Sequence, residues 1–238
     1  MPIHTTSLYG HGLAALDGDA GLVKDFYFDD WNWVIRYLVA DTSAWLPGRL
    51  VLLSPHAVGK PNAYENTLAL TVSKQQIADS PPIDPRRPVS REDEVAYYRH
   101  FGWPAYWDGP ALWGATPVPV TVAPLPKVES NRRAEYHHRA EKNLQSARAI
   151  THYHIQTVDG TIGHVVGFLV DDKSWAIRQI VVETGDWHGG REILVEPAMI
   201  ERISHQTSKI FARLTKADVL RNEEPHFSRT EAGLPIGR

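Results

Sequence analysis

The chain contains no cysteine, which excludes disulfide frameworks, thiolate metal sites and a cysteine nucleophile together. Neither sign of charge dominates. Twenty-five basic and 28 acidic side chains leave a formal charge of −3 with histidines neutral, and so small a balance offers no positive field for nucleic acid. Long apolar runs are missing as well. Aliphatic stretches such as Leu50-Val51-Leu52-Leu53 fall far short of the ~20 apolar residues that span a bilayer. Met1-Pro2-Ile3-His4 has neither the basic lead nor the apolar stretch of a secretory signal. These absences predict a cytoplasmic chain with no transmembrane segment. No Gly-x-Ser-x-Gly elbow, Walker loop or dinucleotide fingerprint occurs, so the chain is read as a non-enzyme with no catalytic residue, cofactor or resident metal.

What is present begins with a globular composition, 42% hydrophobic and 22% charged, and with an internal repeat. Shifting the sequence by 142 residues aligns 11–82 with 153–224 without a gap and matches 18 of 72 positions. Unrelated segments of average composition would match at roughly 4. Asp17-Gly18, Gly21, Phe26, Asp29-Asp30, Trp33, Arg36, Trp45 and Gly48-Arg49 recur as Asp159-Gly160, Gly163, Phe168, Asp171-Asp172, Trp175, Arg178, Trp187 and Gly190-Arg191.

Within each copy the apolar residues fall in runs of strand length bounded by turn chemistry. Residues 153–158 and 162–170 flank Asp159-Gly160, a pair suited to a tight hairpin. Phe168-Leu169-Val170 and 175–182 flank a second turn at 171–174. Ile180–Val182 then pairs with Ile193–Val195, and Pro197 stops that strand. The reading is a five- or six-stranded antiparallel meander, and a meander so short is expected to curl into a closed barrel to hide its edges. Ser73–Ile77 and Thr215–Val219 predict a short closing helix in each copy.

The fold expected is therefore mainly β: two small antiparallel barrels at 1–82 and 153–238, separated by an insertion at 83–152. Ser90-Arg91-Glu92-Asp93 opens a helix there. Seven of the 23 aromatic residues, Tyr97, Tyr98, Phe101, Trp103, Tyr106, Trp107 and Trp113, lie between 97 and 113, too apolar a run for a solvated tether. A proline-rich tract follows at 116–127, and 130–148 reads as a polar helix.

The string Asp-Asp-x-x-Trp-x-Ile-Arg, continued through Trp-x-x-Gly-Arg, stands at 29–49 and again at 171–191. It resembles the PRC-barrel family, which includes the cytoplasmic domain of the photosynthetic reaction centre H subunit and the C-terminal domain of the ribosome maturation factor. The tandem arrangement resembles the stand-alone double PRC-barrel proteins of bacteria. The resemblance implies small β-barrels in an adaptor or assembly role, with a protein partner, a homodimer and peripheral association with a membrane complex as the expected contacts.

Residue by residue, Arg36 and Arg178 sit mid-strand among aliphatics and call for carboxylates, Asp41 and Glu183 or the loop aspartates. Trp45 with Arg49, and Trp187 with Arg191, combine a loop tryptophan and a cation in a manner suited to binding, as do Trp103 and Trp107 in the insertion. His152-x-His154 would point two imidazoles to one face of a strand. It lacks the cysteines, acidic cluster or HExxH spacing that would mark a metal site. The alternative function is a ligand-binding protein or enzyme whose site lies in the aromatic insertion, around Tyr98, Trp103 and Trp107.

Overall fold

The computed structural model describes residues 2–59, 66–82, 89–120, 144–185 and 189–221. Strand β2 (Gly12–Ala15) and β3 (Gly18–Asp29) form the hairpin expected at Asp17-Gly18, β4 (Val34–Asp41) returns beyond the Asp29-Asp30 loop, and β5 (Leu50–Leu53) pairs with β4. The same path recurs as β8 (His154–Thr157), β9 (Gly160–Asp171), β10 (Ile177–Thr184) and β11 (Glu192–Val195). The registers repeat at the 142-residue offset: Gly12 opposite Leu22 becomes His154 opposite His164, and Leu38 opposite Leu53 becomes Ile180 opposite Val195. Gly21 and Gly163 explain their own recurrence. Both have positive φ, and a Cβ on either would collide with the carbonyl of Asp41 or Glu183 on the neighbouring strand.

Two expectations are corrected by the strands that follow. β6 (Thr67–Ala69) pairs with β2 in parallel, and β13 (Lys209–Ala212) does the same with β8, so each sheet is mixed and not a pure antiparallel meander. Nor does either ladder close into a barrel among the described residues. The first runs β5-β4-β3-β2-β6 and the second β11-β10-β9-β8-β13-β12, where β12 is Ile200–Ser204. In the second sheet the two ends of the ladder are joined through the chain by a 3-10 turn, Pro197–Met199, because proline removes a ladder donor and turns the backbone. Pro55–Ala57 makes the equivalent turn, after which Val58 bridges Leu70 beside β6.

The N-terminal segments were illegible as part of the repeat, and they cross over. β1 (Pro2–His4) pairs with β9 of the second sheet, whereas β7 (Leu144–Ser146) pairs with β3 of the first. Helices α1 (Thr5–Leu8) and, counting α2 (Lys74–Ala78) and α3 (Arg91–Phe101), α4 (Ala147–Ile150) follow those strands at the same offset. These pairings cut across the boundaries drawn at 82 and 152, and they make residues 144–146 a strand, not the end of a polar helix. The rest of that helix, 130–143, and the proline tract beyond Val120 lie outside the described residues.

The exchanged strands are held differently on the two sides. On the first sheet the Asp25 carboxylate accepts hydrogen bonds from Ser146 Oγ, from the Arg148 amide at 3.0 Å and from the Phe26 amide at 2.7 Å. On the second, the residue equivalent to Asp25 is Gly167, and the His4 ring occupies the space where a Cβ would stand. Thr5 Oγ1 accepts from the Phe168 amide at 3.1 Å. Between the halves, Ile35 donates to the Trp175 carbonyl at 2.9 Å and Ile177 to that of Trp33 at 2.7 Å. Both tryptophans hold positive φ to make that pairing, +54° and +57°.

Candidate functional site

The aromatic insertion packs on the outward face of the first sheet. Ser90 caps α3 through a capping box with Asp93, and Gly102 ends it in the left-handed conformation. The helix places Glu94 in the interior, 2% exposed. Its Oε1 accepts from the hydroxyls of Tyr37 at 2.7 Å and Tyr106 at 2.8 Å, while Oε2 pairs with Arg91 at 2.6 Å. Burial raises the pKa of Glu94, and the Arg91 cation and the two hydroxyls work against that rise. Burial likewise holds Tyr37 and Tyr106 well above the usual phenol value, so both stay protonated and donate to the carboxylate.

Arg36 lies beside this group. Its guanidinium pairs with Asp29 at 3.1 Å, donates to the Leu112 carbonyl, and lies over the rings of Tyr106 at 4.0 Å and Trp113 at 5.0 Å. Trp113 reaches the second half, donating from Nε1 to the Ser174 carbonyl at 2.7 Å. His56 lies against Trp103 and Trp113. Burial and the Arg36 charge lower its pKa to about 4, so the imidazole is neutral at pH 7.

Of the partners expected for the two arginines, the loop aspartates take the role, and Asp41 and Glu183 do not. Arg36 takes Asp29, and Arg178 lies 3.6 Å from Asp171. Asp41 instead meets Lys24 at 3.4 Å, and Glu183 stays exposed on β10. The hairpin geometry decides this, because the loop aspartate folds back over the strand that follows it. Asp29 Oδ1 accepts from the amides of Trp31 and Asn32, while Oδ2 accepts from Asn32 Nδ2 at 2.7 Å and pairs with Arg36.

The expected binding residues that are described, Trp45, Arg49, Trp103, Trp107 and Arg191, are spread over separate places. Arg49 is used internally, donating to the Ala78 and Ser80 carbonyls at the end of α2. Trp45 is half-buried under the Lys74 ammonium, 4.6 Å from its ring. Trp103 is buried and stacks on Phe101 at 4.2 Å, and half-buried Trp107 stacks with the Arg91 guanidinium at 4.2 Å. Arg191 is exposed, with its backbone tied to Thr184, and Trp187 lies outside the described residues. The alternative site around Tyr98, Trp103 and Trp107 is filled by its own side chains: Tyr98 meets the rings of Trp103, Tyr106 and Trp107 within 6 Å.

Residues left outside that cluster include several not anticipated. Leu16 and Val158 stand 71% and 77% exposed at equivalent hairpin turns, and Trp31 is 60% exposed in the Asp29 loop. At the seam between halves, Asp30 accepts from Gln145 Nε2 at 2.8 Å, and Gln145 Oε1 lies 2.6 Å from His205 Nε2. Burial and the neighbouring Asp29 charge raise the Asp30 pKa to about 6, against the opposing Gln145 hydrogen bond and the His205 charge. A shallow groove of about 260 Å³ runs along α3 past Arg91, Val95 and Arg99. The void between the halves, lined in part by Ile3, Ile35 and Trp175, holds about 10 Å³, room for about one water. No helix among the described residues is long and apolar enough to cross a membrane. Neither a model of any known protein family nor any curated protein matches the chain.

Proposed function

We propose that the chain is a non-catalytic interaction or assembly module that binds a protein partner or a second copy of itself, each half being a PRC-like unit built on an open mixed sheet. The observation that carries this reading is where the chemistry-bearing residues lie. Arg36, Glu94 and His56 are buried and engaged with one another's surroundings, whereas apolar Leu16 and Val158 project at the same turn of both halves. Large apolar side chains held in solvent at structurally repeated positions suit protein contact better than substrate turnover. The Asp-Asp-x-x-Trp-x-Ile-Arg strings supply the family likeness, and in this chain they build the loop-to-strand ion pair and the seam between the halves.

The test compares the untagged chain with a Leu16→Asp, Val158→Asp double variant, using light scattering across concentration and partner retention on the immobilised protein. The wild type is expected to dimerise or retain a partner, and the variant to lose that contact with an unchanged unfolding midpoint, because both turns are already solvated. A monomeric wild type that retains nothing the variant loses overturns the reading.

A further inference from the structure

The outward side of the second sheet carries three imidazoles that the first sheet lacks. The β8–β9 register sets His154 directly opposite His164, and directly opposed residues of an antiparallel pair share a face with Cβ atoms about 4.5–5.5 Å apart. His164 in turn lies opposite Glu183 on β10, so His154, His164 and Glu183 form one row across three strands. His152 is not on the strand as the His-x-His spacing suggested. It sits in the turn before β8 with φ +78°, and from there its ring faces His164 with centroids 5.8 Å apart; those of His154 and His164 are 6.5 Å apart. The equivalent residues of the first half are Gly10, Gly12, Leu22 and Asp41.

The ring nitrogens here are unengaged. His4, His56, His100 and His205 each place a ring nitrogen in a hydrogen bond. Those of His152, His154 and His164 make none among the described residues, and all three rings are exposed or half-buried. We propose that His152, His154 and His164, with Glu183 as a fourth donor, form a surface site for a divalent transition-metal ion of the Zn²⁺ class.

The distances suit this chemistry. An imidazole bound at a Zn–N distance of about 2.0–2.1 Å puts its ring centre roughly 3.2 Å from the ion, and two such rings at a tetrahedral angle have centres about 5 Å apart. The observed separations exceed that by about 1 to 1.5 Å. As the side chains stand, no three histidine or carboxylate groups among the described residues converge on one point. Rotation about χ1 and χ2 closes the gap, and solvent-facing side chains change rotamer readily. Imidazole nitrogen with one carboxylate selects Zn²⁺, Cu²⁺ or Ni²⁺ over Mg²⁺ and Ca²⁺, which take oxygen donors. This site does not depend on the interaction reading above.

The test is calorimetric titration of the untagged full chain with ZnCl2, repeated with MgCl2. One Zn²⁺ per chain is expected, with no Mg²⁺ binding. His164→Ala should weaken Zn²⁺ tenfold or more, because His164 is the shared neighbour, and a His152→Ala, His154→Ala variant should do the same. Glu183→Gln should cost a smaller factor, and His11→Ala, which removes the histidine of the first half's turn, none. Histidine side-chain NMR locates the ion independently: the three named rings should shift together on Zn²⁺ addition. Absence of saturable binding, a His164→Ala isotherm equal to the wild type, or shifts confined to other histidines overturns the site.

Discussion

The two halves place the same residue in opposite surroundings. Arg36 and Arg178 occupy equivalent strand positions and pair with equivalent aspartates, yet the side chain of the first is 2% exposed and that of the second 60%. Leu52 and Leu194 are likewise equivalent, at 1% and 43%. The strand pattern records the same contrast, since β5 is buried along most of its length while β11 alternates. The difference comes from what covers the outward face. In the first half, Tyr37 and Ser54 on that face bond to Glu94 and Tyr98 of α3; in the second, those positions are Gln179 and Glu196, side chains that stand in water at little cost. A motif residue therefore has no fixed energetic role. Its burial, and with it the consequence of losing it, is set by a segment outside the motif.

That contrast is broken most directly at the arginines. Arg36→Met is expected to cost ~3–5 kcal/mol in urea unfolding because it removes a buried cation and strands the half-buried Asp29 charge, while Arg178→Met should stay within ~0.5 kcal/mol. Equal losses would mean that the two ion pairs are equivalent after all. Leu52→Ala should cost ~2–5 kcal/mol through lost burial and a cavity, and Leu194→Ala clearly less, measured the same way. Tyr37→Phe removes one of the hydroxyls that hold the Glu94 carboxylate and is expected to cost ~1–3 kcal/mol. Gln179→Leu, at the matching position, should be close to neutral. The smallest effect concerns the seam. Asp30 has a folded-state pKa near 6, above the roughly 3.9 of an unfolded aspartate, so the folded state binds the extra proton. Stability should therefore fall as pH rises from about 4 to about 6, and Asp30→Asn should flatten that part of the curve, followed by denaturant midpoints across pH.

Much of the core of each half was legible. Asp17-Gly18 and Asp159-Gly160 announced hairpins because few other pairs tolerate the turn, and four successive strands of each copy, β2 to β5 and β8 to β11, pair in the expected order. The β6 and β13 pairings were not, because short parallel strands joined by long connections leave no alternating or turn signal. The candidate site was legible only in part. The density of aromatics from Tyr97 to Trp113 foretold a packed insertion, but that its described residues would cover the first half depended on contacts between residues more than 50 apart, such as Tyr37 with Glu94. Tryptophans and arginines chosen for binding were mostly consumed by packing: Arg49 went to the end of α2 because those carbonyls needed donors.

By itself the sequence determined the repeat, the hairpins and the caps of α2 and α3, since each rests on local backbone conformation that a few neighbouring residues dictate. The exchange of the first strands was decided by tertiary structure alone. Residues 2–8 and 144–150 share no identity at the repeat offset, and their destinations are chosen by complementarity across the molecule. Asp25 accepts two donors from the Ser146–Arg148 segment, and Gly167 leaves room for His4. A short strand has little preference of its own, so the edge that can satisfy its polar groups and admit its side chains determines where it pairs.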